Sequence, residues 1–466
     1  MKEKYKYLSK NVLLFAINGF VPRVLSFILI PLYTYYLTTA EYGISDLINT
    51  TVLLLIPIFT LDIQDAVMRF AFDKEYTQKD VFSVGMQVLF KGAALVALGC
   101  FILSFFHIEG ITNTYLFFTF VMYIANAASN IISLFCRGID KVSTIMVGSI
   151  LNSVCALGSN IIFLAILHWG ISGFLLANSL GMMVNVIYCF IHAKLYRYLV
   201  WHVSTKVFKD MSAFSFPLIF SVIAWWINTA SSRYILTWEL GVAASGLFAI
   251  AYKIPTILAV FQNVFSQAWS ISAIKEFDPL DSDGFIGNVY TMMNLGMCII
   301  CSILMICNIP IAWLLYSDQF FAAWYFVPPL LLSVVFNAMA LFVGSIFTAV
   351  KDTKTLSYST ILGAVITIIG NIISVKIGGA YGAAIATMVG YGVTLLMRLW
   401  ILRKYIHIKT DWRKQVLVYI CLLLQMLISM QDFSFVPVQI VVLIAICYIY
   451  KHALENILIT LKHKFI

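Results

Sequence analysis

Fixed charge is scarce in this sequence: of 466 residues, 30 are Lys or Arg, 21 are Asp or Glu, and charged residues make up only 11%. Soluble globular chains carry roughly a quarter. A chain so poor in charge cannot cover a water-facing surface, which excludes an ordinary soluble enzyme of this length. Catalytic signatures are missing as well. No Gly-Lys dipeptide occurs, so there is no G-x-x-x-x-G-K-[ST] loop to cradle a nucleotide phosphate and no ATP-hydrolysing motor. The seven His (107, 168, 192, 202, 407, 452 and 463) are scattered without H-E-x-x-H or comparable spacing, which argues against an intramembrane metalloprotease. The nine Cys lie mostly in apolar stretches without regular spacing, so they outline no disulfide framework, and Cys298-x-x-Cys301 reads as packing. The single acidic loop, Asp278-Pro279-Leu280-Asp281-Ser282-Asp283, reads as solvated connector rather than a metal site. No cofactor and no metal is implied.

Apolar length is abundant. Hydrophobic residues are 62% and the mean hydropathy is +0.94. A membrane-spanning helix needs roughly 20 mostly apolar residues. Apolar windows fall near 11–38, 44–69, 81–106, 113–136, 142–167, 172–194, 211–236, 242–268, 286–313, 322–349, 356–376, 380–402, 413–430 and 436–452. The fold class is therefore an all-α polytopic membrane protein with about 14 transmembrane helices. Pro22 and Pro31 fall inside the first window and predict a bent first span. The four Lys between Met1 and Lys10 precede an apolar run that carries Arg23 and no small-residue cleavage site, so this run reads as a retained span.

The positions of Lys and Arg fix an orientation. With the amino terminus in the cytoplasm, 24 of them fall in cytoplasmic tails and loops, Lys376 alone in outer loops, and Arg23, Lys91, Arg233, Lys253 and Arg398 within spans. That asymmetry accounts for the net charge of +9 without any nucleic-acid partner and predicts both termini on the cytoplasmic side. The longest basic connector, between spans six and seven, divides the first twelve spans into six plus six. Ala40-Glu41-Tyr42-Gly43 is echoed by Ala244-Ser245-Gly246, and Pro22 by Pro217. This suggests a parallel repeat of two lobes that rock about a central cavity. The expected organisation is a lobe at 1–194, a linker at 195–210, a second lobe at 211–411, and two additional spans with a tail at 412–466.

Charges inside the membrane cost roughly 2.5–3.5 kcal/mol each at a helix centre and so mark candidate sites. Arg23 in span one and Lys253 in span eight lie at similar depth, one per lobe. Asp62, Asp65 and Arg69 follow i, i+3, i+7 on one face of span two, with Gln64 to the side, and are candidates for gating or ion coupling. Arg233 near the end of span seven, Lys91 in span three, and Gln262, Asn263 and Gln267 in span eight would extend a polar, substrate-binding cavity. Arg398 lies near a span end and is expected to snorkel. Cations in a hydrated midplane site suit an anionic ligand, and Arg favours phosphate or pyrophosphate because its fork reaches two oxygens. The apolar lining suits a lipid.

Two stretches carry a resemblance. Gly19-Phe20-Val21-Pro22-Arg23 through Leu37 and Glu41-Tyr42-Gly43, and Gly246-Leu247-Phe248-Ala249-Ile250-Ala251-Tyr252-Lys253-Ile254, are similar to polysaccharide-transport proteins of the MOP flippase superfamily, whose twelve-plus-two plan covers the whole chain. The resemblance, closest to O-antigen and other oligosaccharide flippases, implies a non-enzymatic membrane transporter in the bacterial inner membrane. It implies transfer of undecaprenyl-pyrophosphate-linked oligosaccharide, for O-antigen or a related lipopolysaccharide or surface polysaccharide, from the cytoplasmic to the outer leaflet. Arg23 and Lys253 would hold the pyrophosphate. Membrane lipids are implied as partners, and the polysaccharide polymerase machinery as a candidate one. Alternatives within the superfamily are a lipid II flippase and a multidrug or cation antiporter; in the latter Asp62 or Asp65 would matter more than the cations.

Overall fold

A computed structural model describes residues 27–73, 75–106, 112–200, 203–350, 352–431 and 435–451. Among them all regular structure is helical. Ten helices are long and apolar enough to cross a membrane. One of them, Lys354–Leu402, has 49 residues and would run roughly 74 Å at the usual rise. That is more than twice a hydrocarbon core of about 30 Å. Its backbone leaves the helical region at Gly379 (φ 58°, ψ −140°), a conformation open to glycine, so it comprises two spans, as the windows 356–376 and 380–402 expect.

The chain forms two compact units that meet within one helix, at Ser231 and Ser232. The first contains α1 (Ile30–Tyr36), α2 (Thr39–Phe59), α3 (Ile63–Ala71), α4 (Gln78–Phe105), α5 (Asn113–Gly138), α6 (Val142–Asn160), α7 (Gly170–His192) and most of α8 (Thr205–Leu240). Local chemistry sets the starts. Thr38 begins α2 with a capping box: its hydroxyl accepts from the Glu41 N–H at 3.2 Å, and the Glu41 carboxylate accepts from the Thr38 N–H at 2.9 Å. Thr77 and Thr112 accept in the same way at the heads of α4 and α5. Pro31 stands in the first turn of α1, just after a turn at Leu29, where its missing N–H is tolerated. Pro22 and Arg23 lie outside the described residues. The core is aliphatic and aromatic: Val52, Val67, Phe82, Tyr123, Ile131 and Phe135 are fully enclosed, with the Phe82 and Phe135 rings 4.6 Å apart.

The second unit continues through α9 (Val242–Ala251), α10 (Lys253–Lys275), α11 (Phe285–Ile306), α12 (Asn308–Leu315), α13 (Val327–Ala349), α14 (Thr353–Leu402), α15 (Trp412–Ile428) and α16 (Val436–Ile449). Trp269 stacks on Phe342 at 4.2 Å and donates its indole N–H to the Phe342 carbonyl at 3.0 Å, joining α10 to α13. The two halves of α14 approach so closely that a Cβ at Gly390 would strike the Thr367 hydroxyl.

Helices α15 and α16 are held to α11 by buried polar groups as well as by shape. Asn294 donates to the Tyr450 hydroxyl at 3.0 Å and accepts from Tyr419 at 2.8 Å, while Ser302 donates to Gln425 at 2.7 Å and Gln425 donates back to the Ser302 carbonyl at 3.0 Å. With no water to compete, such bonds fix which faces meet.

Two sequence expectations change here. The acidic loop is not merely solvated connector: Asp281 is fully buried and accepts from the N–H groups of Ile286, Gly287 and Lys409 at 2.9–3.1 Å, capping the start of α11 and holding the connector before α15. Arg398 does not snorkel. It is 4% exposed and donates to the Ser359 and Thr360 hydroxyls at 2.9 Å each and to the carbonyls of Ala340 at 2.6 Å and Leu356 at 3.5 Å. The guanidinium turns inward because hydroxyls and carbonyls of the adjoining helices offer it acceptors.

Candidate functional site

Span eight carries the main candidate in the second unit, and its local shape follows from one proline. Pro255 has no N–H to give the Ala251 carbonyl, and its ring crowds that carbonyl. The helix accordingly divides into α9, ending at Ala251, and α10, starting at Lys253, with Tyr252 between them. Carbonyls freed near such a division need other donors, and the Tyr316 hydroxyl serves Ile250 at 3.2 Å.

Side chains of the site gather at this division. The guanidinium of Arg233, on α8, lies 5.2 Å from the centre of the Tyr252 ring, within cation–π range. Lys253, next in sequence to Tyr252, is half-buried at the head of α10. Beside Arg233, the buried Ser232 hydroxyl accepts from the Asn371 amide at 2.9 Å and lies 3.3 Å from the Thr387 hydroxyl. The Asn371 carbonyl oxygen is buried without a partner. Arg233 thus stands beside an aromatic face and a small polar network, with Lys253 one residue along the chain from that ring. Ser232, Tyr252, Asn371 and Thr387 are not singled out by sequence pattern, since Ser, Thr and Asn within an apolar run carry no charge signal.

The polar face expected along span eight does not hold together. Gln262 is buried, with its side-chain oxygen lacking a partner, Asn263 is half-buried, and Gln267 is exposed. Five helical residues between Gln262 and Gln267 separate them by about 140°.

In the first unit, span two also differs from one continuous helix. Pro57 lies within α2, and Leu61 and Asp62 both adopt left-handed backbone (φ 53° and 50°), so the chain breaks between Phe59 and Ile63. Asp62 therefore sits at the head of α3 rather than on a helical stripe with Asp65 and Arg69. It is fully buried, and one carboxylate oxygen accepts from the Gln64 amide at 3.0 Å while the other has no partner. Gln64 is thus part of this group rather than off to its side. Asp65 is half-buried, and Arg69 is exposed in the last turn of α3. Lys91 is exposed on α4, with its ammonium 5.4 Å from the Phe208 ring centre. Among the described residues, no group of three or more His, Cys, Asp or Glu could hold a metal ion.

These features describe a multi-pass helical membrane protein with polar side chains gathered at helix breaks. The fold agrees with that class. The structure is similar to a lipid II flippase MurJ in an inward closed conformation, at TM-score 0.71 and 14% identity over 96% of this chain and 100% of that one. It is also similar to a multidrug resistance MATE family transporter of the MOP superfamily in an inward-facing conformation, at TM-score 0.64 and 15% identity over 83% of this chain and 97% of that one. No curated protein matches the chain significantly. The family model described as polysaccharide biosynthesis protein matches residues 8–271, more than half of the chain, and the protein belongs to that family. Its fold is shared with these two transporters.

Proposed function

We propose that the protein is the flippase of an undecaprenyl-pyrophosphate-linked oligosaccharide, an O-antigen or related surface-polysaccharide unit, moving it from the cytoplasmic to the outer leaflet of the bacterial inner membrane by alternating access. Both termini are cytoplasmic in this reading, and the organisation remains two six-helix lobes with a terminal pair. The observation that carries it is the pairing of Arg233 with Tyr252 beside Lys253, where span eight divides. A half-buried guanidinium beside an aromatic ring, with a lysine next in sequence to that ring, favours a phosphate-bearing ligand over a cationic drug. Membership in a polysaccharide biosynthesis family points to a glycan on that ligand. Arg23 is proposed as a second phosphate contact, with Lys91, Gln262, Asn263 and Gln267 as further substrate contacts. Asp62, Asp65 and Arg69 are proposed for gating or ion coupling.

One observation favours a second reading. The buried Asp62 carboxylate, with an unpartnered oxygen, is the kind of group a cation antiporter uses.

The test is accumulation of lipid-linked oligosaccharide on the cytoplasmic leaflet after deletion of the gene, with rescue by wild type, Arg23→Ala and Lys253→Ala at matched protein levels. Accumulation relieved by wild type but not by the variants is the expected result. Full rescue by both variants removes the anion site. Absence of accumulation together with new sensitivity to cationic drugs moves the protein to the antiporters.

A further inference from the structure

The connector between α14 and α15, Arg403 to Asp411, leaves one span and enters the next, so it lies at the level of lipid headgroups. A cavity of about 320 Å³ opens here, lined by the apolar Leu399, Leu402, Ile406 and Ile408 together with Arg403, His407 and Trp412. That volume is within the roughly 300–1,000 Å³ of small-molecule sites.

Its charges are unbalanced. Arg403 and the His407 side chain are exposed and make no hydrogen bond or ion pair with any described residue. The carboxylates close by in sequence or space are engaged elsewhere. Asp411 caps α15 and pairs with Lys414 at 3.3 Å. Asp352 accepts from the Tyr405 hydroxyl at 2.9 Å, and Asp281 is filled by three backbone N–H groups. Lys404 stacks on Trp400 at 5.9 Å and Lys409 donates to the Ser282 carbonyl at 3.1 Å, so neither of them supplies what Arg403 lacks, which is an anion.

The surroundings specify which anion. Trp400 is 65% exposed and Trp412 38% exposed, and indole rings at the end of a span settle among headgroups. A phosphodiester would meet the Arg403 fork and the His407 ring, while its glycerol and first acyl carbons would meet Leu399, Leu402 and Ile406. A zwitterionic headgroup would bring an ammonium to a connector that carries Arg403, Lys404 and Lys409, and whose own carboxylate, Asp411, is already paired. Basic pockets between spans at this level take anionic phospholipid. We propose that this cavity is a binding site for the headgroup of an anionic phospholipid, separate from the site of the transported substrate.

Native mass spectrometry of the delipidated full-length protein, titrated with phosphatidylglycerol or phosphatidylcholine, tests it. Phosphatidylglycerol should bind more tightly than phosphatidylcholine, and Arg403→Ala should weaken only the former by about fivefold or more. Arg137→Ala, which removes another exposed arginine at a span end, should change neither. His407→Ala provides a second variant if Arg403→Ala proves unstable, and should weaken phosphatidylglycerol in the same direction. Millimolar inorganic phosphate should not displace the lipid. Equal phosphatidylglycerol binding by wild type and the folded variants overturns the proposal. Binding of inorganic phosphate with the same Arg403 dependence, and no preference between the two lipids, overturns it in favour of a free-phosphate site.

Discussion

The Arg233 guanidinium lies over the Tyr252 ring, 5.2 Å from its centre, at the one residue that separates the two helices of span eight. If the ring contact is what serves the site, the Tyr252 hydroxyl, which also bonds Thr387, is dispensable for transport. Tyr252→Phe should transport at near wild-type level. Tyr252→Ala should lose a contact worth about 0.5–2 kcal/mol and with it the placement of Arg233. Surface-polysaccharide yield per unit of membrane protein separates the two. Equal yields from both variants would show that the Arg233–Tyr252 contact does not serve the site.

Asp62 can be tested for charge without disturbing its backbone. Asn tolerates left-handed φ nearly as well as Asp, whereas a β-branched residue does not. Asp62→Asn should leave the thermal midpoint close to wild type, and Asp62→Val should lower stability by about 1–3 kcal/mol. If the carboxylate gates or couples an ion, Asp62→Asn should still reduce flux in a lipid-linked oligosaccharide transport assay. Wild-type flux in Asp62→Asn would restrict Asp62 to shaping the break.

How much of this was readable in the sequence depends on the kind of signal. Apolar spans are legible because apolar length is a property of twenty residues at once, and even the division of Lys354–Leu402 near Gly379 shows in the sequence as the gap between the windows 356–376 and 380–402. The Glu41-Tyr42-Gly43 signature was visible too, but its Glu41 serves a helix cap, which a motif alone does not reveal. Breaks were harder. Helical periodicity assumes an unbroken helix and so places Asp62, Asp65 and Arg69 on one face, whereas Asp62 has left-handed backbone at the head of α3. Uncharged partners were hardest. Ser232, Asn371, Thr387 and the Asn294–Tyr419–Tyr450 group acquire meaning only when distant spans pack.

The loops supply a pH dependence. Asp278, Asp352 and Asp411 are held below the ordinary carboxyl value of 3.8, chiefly by hydrogen bonds from Ser282, Thr355 and Lys414 respectively. A carboxyl with a depressed folded-state pKa stabilises the fold fully above its unfolded value and loses that contribution as pH falls through the folded one. Thermal midpoints should therefore be level down to about pH 4 and decline below it. A variant with all three replaced by Asn should begin lower and decline less steeply. A parallel decline in both proteins would assign the acid sensitivity to other groups.

Arg398 offers the sharpest contrast between a surface and an interior reading. A snorkelling arginine is a charge on a flexible stem, and Lys replaces it at little cost. The buried Arg398 instead spreads its donors over Ser359, Thr360, Ala340 and Leu356, which lie in different directions around a planar group. An ammonium is a single point and cannot reach them all, so Arg398→Lys should leave buried hydroxyls and carbonyls short of donors, at about 1–3 kcal/mol for each one stranded. The expected result is a clear drop in thermal midpoint for Arg398→Lys in detergent, with Arg403→Lys, at the exposed end of the same helix, unchanged. If Arg398→Lys melts with wild type, the guanidinium is not the clamp between α13 and the two halves of α14 that its hydrogen bonds describe.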